Sequence, residues 1–286
     1  MPSTEAPSMK EIIKAAENLP PFPDVVWKVV PLIQQMAPVT EIESVIKYDQ
    51  AITARILSMS QSAYYSRRHS IGTLRDAIVS LGQQDLFQVV MMACSTRYFA
   101  RNTTGGYDLR EGELWEHAVA TALAADMLSS RLSRKDRSTV YTAALLHDIG
   151  KTVLNLYVGK SYDPIFALVT DNRIPFLDAE RHVLGIDHQQ LGLHISRQWH
   201  FPPKVTTAIG YHHNPLKAKE NRDLVALIYV ANRIVSAMGI GCGVDGFLQP
   251  NEDEVFVQLG ITTSMVEKVM ADVIETLIEA KRFLLH

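Results

Sequence analysis

Apolar residues recur in this chain every three or four positions and almost nowhere in sustained alternation. A period of 3.6 builds helices with one buried stripe; strands need a period of 2. After Pro20, Pro21 and Pro23, the residues Val25, Val26, Val29, Val30, Leu32 and Ile33 make one such stripe. Near the other end Val266, Val269, Met270, Val273, Ile274, Leu277 and Ile278 make another. The same reading predicts helices over 51–59, 74–81, 86–99, 113–132, 138 to about 157, 162–170, 176–184, 188–199, 203–211 and 223–238. Side chains suited to capping mark several starts: Thr40 with Glu43, Thr73, Ser138, and Ser264 with Glu267. Gly82 is placed as a stop. No repeat of fixed period in the range of about 20–50 residues is found. The expected fold is all-α.

Residues 101–112 hold three glycines, two threonines and an asparagine, and read as a linker. This divides the 286 residues into an N-terminal helical bundle, 9–105, packed on a second helical lobe, 106–286. The net charge of −3 and the lack of a recognition motif give no support to nucleic-acid binding. Two distant cysteines, Cys94 and Cys242, exclude a disulfide scaffold and suit a reducing cytoplasm. The opening MPSTEAPSMK has no apolar leader core, and polar residues interrupt the apolar runs before about 18 residues, so no membrane association is expected. Arg67 and Arg68, beside Tyr64 and Tyr65, are read as a solvated turn.

The chemistry concentrates in histidines. His147 and Asp148 follow the apolar run Ala143, Ala144, Leu145 and Leu146, so two polar side chains end a buried helix face. Buried polar groups need partners, and a metal ion is an effective one. His117 lies four residues after Glu113, on the same side of its helix. His188 opens a helix, and His212 and His213 follow another. Five imidazoles with two carboxylates suffice for one or two divalent transition-metal ions, and Asp148 has two oxygens with which to bridge. Neutral imidazole and carboxylate suit iron, manganese or zinc alike. Lys151, one turn beyond His147, reaches the same pocket. A hydrogen-bonded polar core is the alternative for the cluster.

The order His117, His147-Asp148, Gly150-Lys151, His188 and His212-His213 resembles the HD superfamily of metal-dependent phosphohydrolases. Glu113 with His117 and the HDIGK run are similar to its HD-GYP branch, which cleaves cyclic di-GMP. The remaining features resemble the HDOD domain: Leu19 to Pro23, Ile71, Ala77-Ile78, Leu81-Gly82, Leu114-Trp115, Glu180, Gly185, Gly192, Trp199, Phe201-Pro202 and Asn214-Pro215. That resemblance covers roughly residues 10 to 240 and implies an all-helical signalling module, mostly bacterial, without an established activity. It places Glu113, His117, His147, Asp148, His188, His212 and His213 as metal ligands. Two departures stand out. Asn232 occupies the place of the last aspartate of the HD phosphohydrolases, and the glycine-tyrosine-proline signature of the HD-GYP branch is absent after His213. The resemblance therefore implies an output module that binds a signalling protein or a nucleotide through a retained metal site. The alternative is a phosphohydrolase acting on a nucleotide or cyclic dinucleotide. There, metal-bound water would attack phosphorus, with Asp148 bridging and Lys151 offsetting the developing charge.

Overall fold

A computed structural model of the chain describes residues 7–62, 71–99, 105–246 and 254–284. The Tyr64–Arg68 region, for which a solvated turn was expected, lies outside them. Among the described residues every regular element is a helix. In chain order these are α1 (Met9–Glu17), α2 (Asp24–Gln34), α3 (Val39–Ile46), α4 (Gln50–Ser60), α5 (Leu74–Phe99), α6 (Glu113–Arg131), α7 (Arg137–Leu146), α8 (Lys151–Lys160), α9 (Tyr162–Thr170), α10 (Phe176–Leu184), α11 (His188–Gln198), α12 (Pro203–Tyr211), α13 (Arg222–Ala237), α14 (Glu254–Gln258) and α15 (Thr263–Leu284). Short 3-10 turns lie at Pro215–Lys217 and Val244–Gly246.

Packing divides the chain into two units, Met1–Pro20 with Tyr98–Ala271, and Pro21–Arg97 with Asp272–His286. The boundaries thus differ from a single cut at residue 105: α1 groups with the later residues, and the end of α15 with the earlier ones. In the smaller unit Val26, Val29 and Ile33 of α2, Ile42 and Ile46 of α3, and Ile52, Ile56 and Met59 of α4 are buried at helical spacing. Thr73 caps α5 as expected: its hydroxyl accepts the Asp76 N–H at 3.1 Å, and the Asp76 carboxylate accepts the Thr73 N–H at 3.1 Å. Gly82, at φ 71° and ψ 177°, breaks α5 into two helical pieces. By length and composition α5 is the one helix among the described residues that could cross a membrane, but 67% of that apolar stretch is buried in the protein.

In the larger unit α6 packs against α7 and α13, and α12 against α7 and α11. Ala118, Ala122 and Ala125 on one side of α6, and Ala120 and Ala124 on the other, are fully buried, and these small side chains permit close helix approach. Arg137 at the start of α7 forks onto Asp126 of α6 at 2.9 and 2.6 Å.

Several starts and stops differ from expectation. Pro38, not Thr40, precedes α3. Asp136 precedes α7, leaving Ser138 inside its first turn. Thr262, not Ser264, precedes α15, and its hydroxyl accepts the Met265 N–H at 3.3 Å. The predicted long helix from 138 to about 157 is two helices, because α7 stops at Leu146 and α8 starts at Lys151. Residues 105–112 are not a free linker. Tyr107 is fully buried, and Asn155 Oδ1 accepts the Gly106 and Tyr107 N–H groups at 3.1 Å each.

Candidate metal centre

The break between α7 and α8 makes the site. His147, Asp148, Ile149 and Gly150 form a tight turn rather than a helix interior, so Asp148 projects into the space ringed by α6, α11, α12 and α13. Gly150 permits this approach: a Cβ there would lie 2.0 Å from the His188 carbonyl oxygen. Asp148 and His147 are fully buried, and His117, His188, His212, His213 and Asn232 are nearly so.

Each of four imidazoles donates its Nδ1–H to a group that can only accept. His117 donates to Ile240 O at 2.9 Å, His147 to Ala144 O at 2.6 Å, His212 to Ile209 O at 2.8 Å and His188 to Glu180 Oε2 at 2.8 Å. For His147, His188 and His212 that fixes the tautomer and leaves the Nε2 lone pair free in the neutral ring, whereas His117 Nε2 also meets Asn232 Oδ1. All four Nε2 atoms converge on Asp148. His188 and His212 face Oδ1 at 3.6 and 3.4 Å, while His147 and His117 face Oδ2 at 3.3 and 3.8 Å. Nε2 of His147, His188 and His212, and Oδ1 of Asp148, have no hydrogen-bond partner despite full burial. Acceptors that face acceptors in a buried site are costly, and a cation among them removes the cost.

Three of the rings hold protons poorly. Burial drives the His117 pKa down to about 4 and that of His212 down to about 3. Burial, then the neighbouring His212 and His188, hold His213 well below its ordinary value. Burial pushes the Asp148 carboxyl up, but His147 and Lys151 outweigh it, and the group stays ionised well below the usual carboxylate range. The donor atoms form two sets that share Asp148: His188, His212 and His213 on one side, His117 and His147 on the other, each set lying within 4.8 Å. Two or more imidazoles with a carboxylate fit a divalent transition metal.

A buried relay supports His188. Glu180 Oε2 accepts both its Nδ1–H and its backbone N–H, at 2.8 and 3.0 Å, and Glu180 Oε1 accepts the Tyr107 hydroxyl. Burial lowers the His188 pKa, yet Glu180 outweighs it and the net shift is upward. This is the carboxylate–histidine arrangement that orients metal ligands.

The other expected residues fall as follows. Asn232 Oδ1 lies 3.0 Å from His117 Nε2, at the edge of the cluster. Glu113 stays outside it: its carboxylate turns back to accept the Arg110 N–H at 2.7 Å, at the start of its own helix. Lys151 is buried, as a residue of the pocket would be, but its ammonium is held by Asp148 Oδ2 at 2.7 Å and Asp245 Oδ2 at 2.6 Å. Asp245 and Tyr107 were not anticipated from sequence. Glu180 was noted only as part of the resemblance. In sequence its one signal is an acid eight residues before His188, and the structure buries it fully.

The HDOD domain profile matches residues 19–215. The chain belongs to the HDOD family. Among solved structures similar to this HDOD chain is an HDOD domain protein of unknown function from Geobacter sulfurreducens, at TM-score 0.76 and 23% identity over 98% of this chain and 100% of that one. A candidate signal-transduction protein from Marinobacter aquaeolei matches at 0.73 and 20%, covering 97% of this chain and 60% of that one. A candidate phosphohydrolase from Shewanella amazonensis matches at 0.71 and 21%, covering 96% and 97%. At these identities the likeness establishes the shared all-helical fold. An uncharacterized protein of Treponema pallidum is 20% identical over 200 residues, which is 68% of this chain; the HDOD chain spans 38% of that relative's length.

Proposed function

We propose that this HDOD protein is a signal-transduction output module, built around a buried metal centre, that recognises a partner protein or a nucleotide rather than turning one over. The observation that carries this reading is the convergence of four Nε2 atoms, three of them without a hydrogen-bond partner, on a buried Asp148 whose Oδ1 has none either. Asp148 with His188, His212, His213, His147 and His117 would hold the ion, and iron, manganese and zinc all suit that donor set. When bound, such an ion supplies Lewis acidity and lowers the pKa of a coordinated water.

Three features favour recognition over hydrolysis. Lys151, the residue expected to offset charge on a phosphoryl group, is already neutralised by two carboxylates. Asn232 provides no anion on the His117 side. Both oxygens of Asp148 are enclosed by described side chains at 5% exposure or less. The phosphohydrolase reading keeps one observation in its favour, a donor cradle with ligands on both sides of a bridging carboxylate. The test is to incubate metal-replete protein with cyclic di-GMP and a nucleotide panel. The recognition reading expects no multiple turnover. Turnover that vanishes in a His147→Ala, Asp148→Ala double variant would replace it with the enzyme.

A further inference from the structure

The two halves of the cradle are unequal, and the inequality rests on a residue far away in sequence. On the Oδ1 side of Asp148 the nearest groups are imidazoles: His188 at 3.6 Å, His212 at 3.4 Å, and His213 completing the set. Three imidazoles and one carboxylate oxygen complete a tetrahedral shell. On the Oδ2 side His147 and His117 stand at 3.3 and 3.8 Å, but the Lys151 ammonium is closer than either, at 2.7 Å.

That ammonium is fixed in place. Asp245 also binds it, at 2.6 Å, and the Tyr107 ring lies 5.5 Å from it. Asp245 is itself clamped by its segment. The Val244 N–H donates to Tyr107 O at 3.0 Å, and at Gly243 an added Cβ would stand 1.9 Å from that same oxygen. The segment can lie this close only because position 243 is glycine. Lys151 and Asp245 are 4% and 8% exposed, so neither charge can be left unpaired by a simple swing to solvent.

Resting on the metal-centre reading above, we propose that Lys151, pinned by Asp245, is a built-in cation at the second metal position, so that the centre takes a single divalent ion on the Oδ1 side of Asp148. A metal bound to Oδ2 would sit about 2.1 Å from it. It would share that oxygen with an ammonium and be repelled by it at short range in a poorly screened interior. The Oδ2 side also offers the weaker shell, two imidazoles and the neutral Asn232 amide. The internal charge supplies there what a second ion supplies in a paired site.

The experiment is manganese titration of chelator-stripped full-length protein, read by calorimetric stoichiometry and by electron paramagnetic resonance. Wild type should take one ion and give the hyperfine pattern of isolated manganese. The charge-neutral variant Lys151→Met with Asp245→Asn removes one cation and one anion together, and should take a second ion and show an exchange-coupled pair. Two coupled ions in wild type would overturn the inference and leave the metal-centre reading standing. No ion in wild type would remove that reading itself. A folded double variant that still takes one ion would show that Lys151 does not hold the second position. The wild-type spectrum decides the matter if the double variant does not fold.

Discussion

Replacing Glu180 by glutamine leaves the shape of the site intact and removes one charge. The carboxylate accepts three hydrogen bonds, from His188 N at 3.0 Å, His188 Nδ1 at 2.8 Å and the Tyr107 hydroxyl. Hydrogen bonds to an ionised group contribute about 1.5–3 kcal/mol each, against about 1 for neutral pairs. Glutamine can keep its oxygen on His188, so those two bonds weaken by about 1 kcal/mol each. Its NH2 then faces the Tyr107 oxygen, and the buried phenolic proton loses its acceptor at a further cost of about 1–3 kcal/mol. The sum is a destabilisation of about 3–5 kcal/mol, read as a lower urea midpoint of the metal-free chain. Metal affinity should fall about 10–100-fold, since the His188 ring is no longer backed by an anion. Zinc competition against a calibrated chelator measures that second effect. A variant destabilised as predicted but within about twofold of wild type in zinc affinity would show that Glu180 only fills the core, and the relay through His188 would be refuted.

Acid should unfold the metal-free protein well before its carboxylates protonate. His117 and His212 are held at about 4 and about 3 in the folded chain, against about 6.5 when unfolded. Below pH 6.5 the unfolded state therefore binds more protons, and stability is lost as pH falls from about 6.5 toward 4, by about 3 kcal/mol from His117 alone. His188, shifted upward, opposes this and loses its contribution as pH rises through its folded value. A urea midpoint that does not fall between pH 7 and pH 5 would contradict the assignment. Asn232→Asp places an anion 3.0 Å from His117 Nε2, on the Oδ2 side of Asp148, and should raise the affinity for a second ion there about tenfold or more; no gain in second-ion binding in the chelator assay would remove Asn232 from the site. Gly150→Ala drives a methyl into the His188 carbonyl and should cost about 3 kcal/mol or more, with loss of metal binding; a near-wild-type melting temperature would refute the close approach.

The helix content was legible because apolar residues recur at helical spacing, with one buried stripe in helices such as α2, α3 and α4, and the spans 162–170, 176–184 and 203–211 coincide with α9, α10 and α12. The helix ends were less so. Ser138 and Ser264 have capping chemistry but sit one or two residues inside the helices. The histidines and Asp148 could be found because metal-ligand side chains are rare in an apolar setting. What they meet could not be read from local spacing. Lys151 and Asp245 are 94 residues apart, and Tyr107 and Glu180 are 73 apart. Glu113 shows the opposite failure. Its spacing to His117 is right for a shared face, yet its carboxylate has a nearer partner in the Arg110 N–H. The glycines around Tyr107 suggested a linker, but Gly106 is what lets the backbone pack against Asn155.

The presence of the metal is tested most directly by elemental analysis of the full chain, expressed in metal-replete medium and desalted. About one transition-metal ion per chain is expected, lost when His147 and Asp148 are replaced by alanine, because the Nε2 atoms of His147, His188 and His212 that converge on Asp148 have no hydrogen-bond partner. A content well below one ion in correctly folded wild-type protein would contradict it and leave the cluster as a polar core.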